Sequence, residues 1–140
     1  MTETKSKSFQ LTISSETRHL TQVEKLSEEV ASYANLDESD SDDLGIVTTE
    51  LVNNAIHHGN HDDPGKKVEI KFTVNGTKIE IRIKDQGNGF DPARLKDPLA
   101  PENLMSESGR GIFLIRNLMD TIDFEFSPDG TETIVTKNLA

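Results

Sequence analysis

Glu50 and Asn54 stand four positions apart in Thr48-Thr49-Glu50-Leu51-Val52-Asn53-Asn54-Ala55-Ile56-His57-His58-Gly59-Asn60. On a helix that spacing projects a carboxylate and a carboxamide from one face, one turn apart. An amide oxygen is a hard ligand suited to Mg²⁺, and a carboxylate can accept a proton. A second candidate is Asp85, which continues the parity of Ile79, Ile81 and Ile83 at the end of an alternating run. Its carboxylate is therefore expected on the core side, where it is costly unless it meets a donor. Gly87 and Gly89 follow it and let the backbone come close to something flat or bulky. The third candidate is Ser108-Gly109-Arg110-Gly111, directly before Ile112, Phe113, Leu114 and Ile115. It reads as a glycine-rich turn feeding a helix N-terminus, whose free N–H groups favour phosphate, with Arg110 adding a fixed positive charge. Each pattern alone is an ordinary helix face or turn; their order and contexts together are specific.

The elements that must position these residues are legible from periodicity. Residues 1–8 read as a disordered tail. Phe9, Leu11 and Ile13 alternate as a short strand. Ser14 and Ser15 offer an N-cap to an amphipathic helix through Leu20, Val23, Leu26 and Val30, ending near Ala34. The acidic run Asp37 to Asp43 reads as a solvated linker that places negative charge near the next helix N-terminus. Leu44, Val47, Leu51 and Ala55 form that helix's apolar stripe, and Gly59 is placed where a C-terminal glycine stops a helix. After the loop His61 to Gly65, Val68 to Val74 and Ile79 to Ile83 alternate around Asn75-Gly76, an antiparallel hairpin. From Asp91 to Ser108 the chain carries Pro92, Pro98 and Pro101 with few periodic apolar residues, as in a functional lid or a disordered loop. Ile122, Phe124 and Phe126, the turn Pro128-Asp129-Gly130, and Thr133 to Thr136 close the chain as strands.

Length and charge bound the rest. A chain of 140 residues reads as one domain, residues 9–140, with a real core. The formal net charge of −10 and the scattered lysines and arginines argue against nucleic acid. No apolar run reaches membrane-spanning length and residues 1–8 lack a secretory apolar region, so a cytoplasmic protein is expected. With no cysteine there are no disulfides, thiolate metal sites or cysteine nucleophiles. His58 falls near the apolar stripe and reads as a satisfied structural histidine, and His57 as exposed; adjacent histidines do not make a metal pair on one helix face. His19 lacks the acidic neighbour and downstream pattern of a phosphoacceptor.

The three patterns resemble the N box and the first and second glycine boxes of the Bergerat-fold (GHKL) ATPases, which include gyrase, histidine kinases, a heat-shock chaperone and a mismatch-repair protein. Within that superfamily the chain is similar to the anti-sigma-factor serine kinases of the RsbW and SpoIIAB type. The likeness rests on Glu50-Leu51-Val52-Asn53-Asn54-Ala55 with His58-Gly59, and on Gly109-Arg110-Gly111-Ile112-Phe113-Leu114-Ile115 leading into Leu118-Met119-Asp120. It runs from about Phe9 to Leu139. It implies an α/β two-layer sandwich, a mixed but mostly antiparallel sheet with helices on one face.

By the same resemblance, Asp85 would hydrogen-bond the exocyclic amine of adenine, and Gly87 and Gly89 would admit the purine. Asn54 would ligate Mg²⁺ bridging the phosphates of ATP, and Glu50 would be the general base. Gly109, Arg110 and Gly111 would wrap the β- and γ-phosphates as the lid closes. One departure is visible: several relatives carry an arginine shortly before the second glycine box, where this chain has Ser106, Glu107 and Ser108. Arg110 could supply that charge from a different position. The implied partners are a sigma factor and a STAS-type anti-anti-sigma protein that accepts phosphate on Ser or Thr, with a homodimer implied as well. Competing readings are a nucleotide-dependent anti-sigma switch without kinase activity, and a detached histidine-kinase catalytic domain. The second is disfavoured because no dimerising phosphoacceptor hairpin is recognisable. No transducer-like segment follows to suggest a gyrase-type ATPase.

Overall fold

The computed structural model describes residues 6–87 and 107–139, in the second stretch without the side chains of 107–110 and 112. The elements, in chain order, are β1 (Lys7–Ser14), a 3₁₀ turn (Thr17–His19), α1 (Leu20–Tyr33), α2 (Glu38–Asn54) and a π-helical turn (Ala55–Gly59). They continue with β2 (Lys67–Val74), β3 (Lys78–Lys84), α3 (Glu107–Leu118), β4 (Thr121–Ser127) and β5 (Gly130–Asn138). The strands form one five-stranded sheet in the order β1-β2-β3-β5-β4. A mixed sheet was expected; among the described residues every pairing is antiparallel.

The period-two pattern decides which face is covered. Phe9 pairs with Phe72, Leu11 with Ile70 and Ile13 with Val68, so three apolar rows stack on one face of β1 and β2. The pairs Phe72 with Ile81 and Ile70 with Ile83 extend them across β3. On that face the buried positions Val23 and Val30 of α1, Leu44, Val47, Leu51 and Val52 of α2, and Ile115 of α3 complete one apolar cluster. The opposite face is polar and charge-laced. There the Arg82 guanidinium donates to Glu80 Oε1 at 2.6 Å and Glu132 Oε1 at 2.9 Å, and these carboxylates hold it charged to even higher pH than usual.

Local chemistry departs from the sequence reading at several element ends. Ser14 and Ser15 do not cap α1. Ser14 Oγ donates to Glu16 Oε2 at 2.7 Å and Ser15 Oγ to the Lys66 carbonyl at 2.8 Å, so both hydroxyls fasten the end of β1 instead. The acidic run is not a linker, because α2 begins at Glu38 and absorbs most of it. Asp37 is the cap, its Oδ1 accepting from the Asp40 N–H at 2.7 Å, and the acidic first turn complements the helix dipole. The β2–β3 turn is held by Asn75, whose Oδ1 accepts from the N–H groups of Thr77 and Lys78. β1 begins at Lys7, two residues ahead of Phe9.

Candidate functional site

α2 carries Glu50 and Asn54 on one face, both half-buried, while Leu44, Val47 and Leu51 are held in the core. Neither side chain has a hydrogen-bond or ion-pair partner among the described residues. Immediately after Asn54 the helix widens into the π turn, closed by Asn60 N–H donating to the Ala55 carbonyl at 2.8 Å. Single π turns inside helices are rare and concentrate at functional positions.

The widening delivers Gly59 to Asp85. A Cβ built on Gly59 would overlap the Asp85 carboxylate, and one built on Gly87 would lie 2.5 Å from the Gly59 carbonyl oxygen. A Cβ on Gly130 would overlap the Asp85 carbonyl, and its φ of +144° is open only to glycine. Three glycines thus crowd one carboxylate. Gly59 was expected to stop the helix, and the helical turn does end there; its φ is not positive, and it is glycine because a side chain has no room.

Asp85 is 7 % exposed, on the core face where its parity places it. The donors that make this tolerable are backbone groups: Oδ1 accepts from Gly87 N–H at 3.0 Å and from Thr131 N–H at 3.1 Å. The Asp85 N–H in turn donates to the Thr131 carbonyl at 3.0 Å. Oδ2, on the Gly59 side, has no protein donor among the described residues and remains an acceptor. Thr131, whose backbone pairs with Asp85, is 8 % exposed, and its Oγ1 is a buried polar atom with no hydrogen-bond partner among the described residues. A buried hydroxyl left without a partner costs about 1–3 kcal/mol, so its retention points to a ligand or bound water. Asp85 thus presents an open carboxylate acceptor among close-packed glycines, which suits an amine donor.

Asn60 holds that floor in place. Its Nδ2 donates to Ser15 Oγ at 2.8 Å and to the Lys67 carbonyl at 3.0 Å, while its Oδ1 accepts from the Gln86 N–H at 2.7 Å. Gln86 Oε1 accepts from the Lys67 N–H at 2.6 Å. Fully buried and fully bonded, Asn60 ties the end of the π turn to β1, β2 and the Asp85–Gly87 segment. Sequence reading passed over Asn60 and Thr131. Thr131 shares its strand parity with Thr133 and Val135, a usable signal, but only the pairing of β3 with β5 sets it opposite Asp85.

At the other end, α3 meets Glu50. A Cβ on Gly111 would overlap Glu50 Oε1, so the backbone of α3 rests directly on that carboxylate. Gly109, Arg110 and Gly111 were expected as a turn before the helix. They lie inside its first turns instead, since α3 starts at Glu107. An acidic residue there suits the helix N-terminus. The Arg110 side chain and Gly89 lie outside the described residues, as does most of the expected lid. His58 is exposed rather than packed, because the π turn rotates it off the apolar stripe. His57, also exposed, pairs through Nδ1 with Asp62 Oδ1 at 2.5 Å. Among the described residues no group of three or more His, Asp or Glu side chains could hold a metal ion.

Residues 13–137 match the family model described as the histidine kinase-like ATPase domain. The chain belongs to the histidine kinase-like ATPase family. Among curated members, the anti-sigma F factor of Oceanobacillus iheyensis is 36 % identical over 103 residues, 70 % of this chain and 69 % of its own length. The serine-protein kinase RsbW of Bacillus velezensis is 31 % identical over 116 residues, covering 79 % and 72 %. Among solved structures, the RsbU and RsbW domains of a Mycobacterium tuberculosis protein superpose with a TM-score of 0.68 at 16 % identity. That match covers 94 % of this chain but about a third, 32 %, of the other. A histidine kinase domain from Erythrobacter litoralis gives 0.60 at 13 %, over 86 % of this chain and 60 % of its own. These two structures speak for the fold; the two curated relatives place the chain among the family's anti-sigma serine kinases.

Proposed function

We propose that residues 9–140 form one ATP-dependent serine/threonine kinase domain that acts as an anti-sigma factor. It would bind a sigma factor and phosphorylate a Ser or Thr of a STAS-type anti-anti-sigma protein. The observation that carries this reading is Asp85, crowded by glycines with its Oδ2 left as an open acceptor, in one fold with the orphaned Thr131 hydroxyl and with a Glu50 and Asn54 that have no partner among the described residues.

In this reading Asp85 Oδ2 accepts from the exocyclic amine of adenine and Thr131 Oγ1 bonds the neighbouring ring edge. Gly87 and Gly89 leave room for the purine. The donor set fits a magnesium site in which the protein supplies little and the nucleotide phosphates supply most: Asn54 offers one amide oxygen, and among the described residues no carboxylate cluster competes with it. Bound Mg²⁺ would neutralise charge on the phosphates. Gly109, Arg110 and Gly111 lie in the first turns of α3, whose N-terminal N–H groups favour phosphate, and an arginine in that sequence would add positive charge for it. Glu50, in contact with Gly111, orients the acceptor hydroxyl and takes its proton. Phosphoryl transfer asks mainly for such positioning and charge stabilisation. The outer edge of β1 has no strand partner among the described residues, which supports a homodimer, and no described helix is long and apolar enough to cross a membrane. A cytoplasmic setting fits a sigma-factor partner.

The test is an ATP titration with and without Mg²⁺ on wild type, Asp85→Asn and Glu50→Gln, followed by transfer of labelled phosphate to a STAS-type protein. Metal-dependent binding that collapses in Asp85→Asn, with binding kept and transfer lost in Glu50→Gln, is expected. Normal transfer by Glu50→Gln removes the base assignment. Binding without any transfer by the wild type leaves a nucleotide-dependent anti-sigma switch.

A further inference from the structure

α1 and α2 diverge on the solvent side of Glu50 and leave an open groove of about 660 Å³. Its walls follow from helical spacing. On α2, Asp42, Ile46, Thr49 and Glu50 recur at i, i+4, i+7 and i+8, one continuous face. On α1, Glu24 and Glu28 stand one turn apart and face them. The helices meet beneath at Gly45, where an added Cβ would lie 3.7 Å from Ser27 Oγ. Glu24, Glu28 and Asp42 are exposed, and among the described residues they make no ion pair and no lysine or arginine lines the groove. Ile46, 47 % exposed, stands between the carboxylates as an apolar foothold. Buried apolar contact with surrounding like charge selects a partner of opposite charge and steers it in. The same carboxylates disfavour phosphate groups in the groove.

We infer that this groove docks the phosphoacceptor protein, through a segment that carries lysine or arginine around an apolar residue. It runs continuously to Glu50, so a segment seated on Ile46 delivers a nearby hydroxyl to that carboxylate. The inference deepens the kinase reading and rests on it for the identity of the occupant, but the docking itself is measurable without ATP. Two fluorescein-labelled, serine-containing peptides of equal length, one lysine-rich and one glutamate-rich, serve as probes. They are titrated by anisotropy into wild type, E24Q/E28Q/D42N, and the control E69Q/D123N/E125Q, which removes the same charge from exposed positions on the far face of the sheet. The lysine peptide is expected to bind wild type and the control alike and the groove variant about tenfold more weakly, the sum of several modest charge pairs. Amide shifts on titration should centre on Ser27, Gly45, Ile46 and Thr49. Equal weakening in both variants, shifts centred on the far sheet face, or binding of the glutamate peptide would each overturn the docking site. ATP binding by every variant separates the two readings. Retained ATP binding with no groove effect sinks the docking site alone, whereas groove binding without phosphate transfer sinks the kinase reading alone.

Discussion

Replacing Gly59 by Ala tests the packing argument most sharply, because local and tertiary reasoning give opposite signs. Gly59 sits in a helical turn with no positive φ, so helix propensity by itself favours alanine by up to about 1 kcal/mol. The structure reverses that: the added Cβ would overlap the Asp85 carboxylate and lie 2.9 Å from the Asp85 Cβ. Asp85 cannot simply step aside, since its N–H is bonded to Thr131 and its Oδ1 accepts from two backbone N–H groups. Turning the carboxylate away gives up those two charge-assisted bonds, about 1.5–3 kcal/mol each. The expected loss is about 3 kcal/mol or more, a fall in Tm of about 10 °C for a domain of this size. Because the same rotation removes the free Oδ2 acceptor, ATP affinity should fall by at least about tenfold. Urea unfolding and an ATP titration measure both. Gly45→Ala is the control: its Cβ would make only an ordinary contact at 3.7 Å, so stability should hold or rise by under about 1 kcal/mol. If Gly59→Ala unfolds at or above the wild-type midpoint, the close approach of the π turn to Asp85 is wrong.

Thr131→Val removes an unpartnered buried hydroxyl, so the free protein should be unchanged or more stable by about 1 kcal/mol while ATP binding weakens; lost stability with unchanged binding would count against Thr131 as a contact group. Asn60→Ala leaves the Gln86 N–H and the Lys67 carbonyl without their bonds, and a loss of about 2–4 kcal/mol is expected in chemical denaturation. Glu16 is held below the ordinary carboxylate range first by the Ser14 hydroxyl and then by Arg18. A depressed carboxyl stabilises the fold at pH above its ordinary value and loses that contribution as pH falls through the depressed one. Ser14→Ala should therefore move the Glu16 carboxyl upward in an NMR titration; an unmoved Glu16 would discount the hydroxyl as the main cause.

Much of the architecture is local and was written in periodicity. Phe9, Leu11 and Ile13 alternate because β1 buries one face, and the Ile79–Ile83 parity carried through to Asp85 because side chains alternate along a strand. The helical spacing of Leu44, Val47 and Leu51 put Glu50 and Asn54 together on one face. Where the reading failed, a local rule had competed with another partner or another turn geometry. Ser14 and Ser15 could cap a helix, but a neighbouring carboxylate and the Lys66 carbonyl took their hydroxyls. Gly59 does end the helical turn, but it is glycine because the fold brings Asp85 against it. His58 left the apolar stripe because a π turn changes the phase of every residue after it.

The sequence by itself determined the candidates Glu50, Asn54 and Asp85 and the helix and strand end they ride on, since these depend on residue type and short-range spacing. Only the tertiary structure decided what stands beside them. Asp85 is stabilised by a strand far along the chain, Thr131 acquires its meaning from the register of β3 and β5, and Asn60 joins elements that no periodicity links. Strand pairing and helix crossing are set by burying the whole core at once, so contacts between residues distant in the chain carry no signature in the local pattern of either.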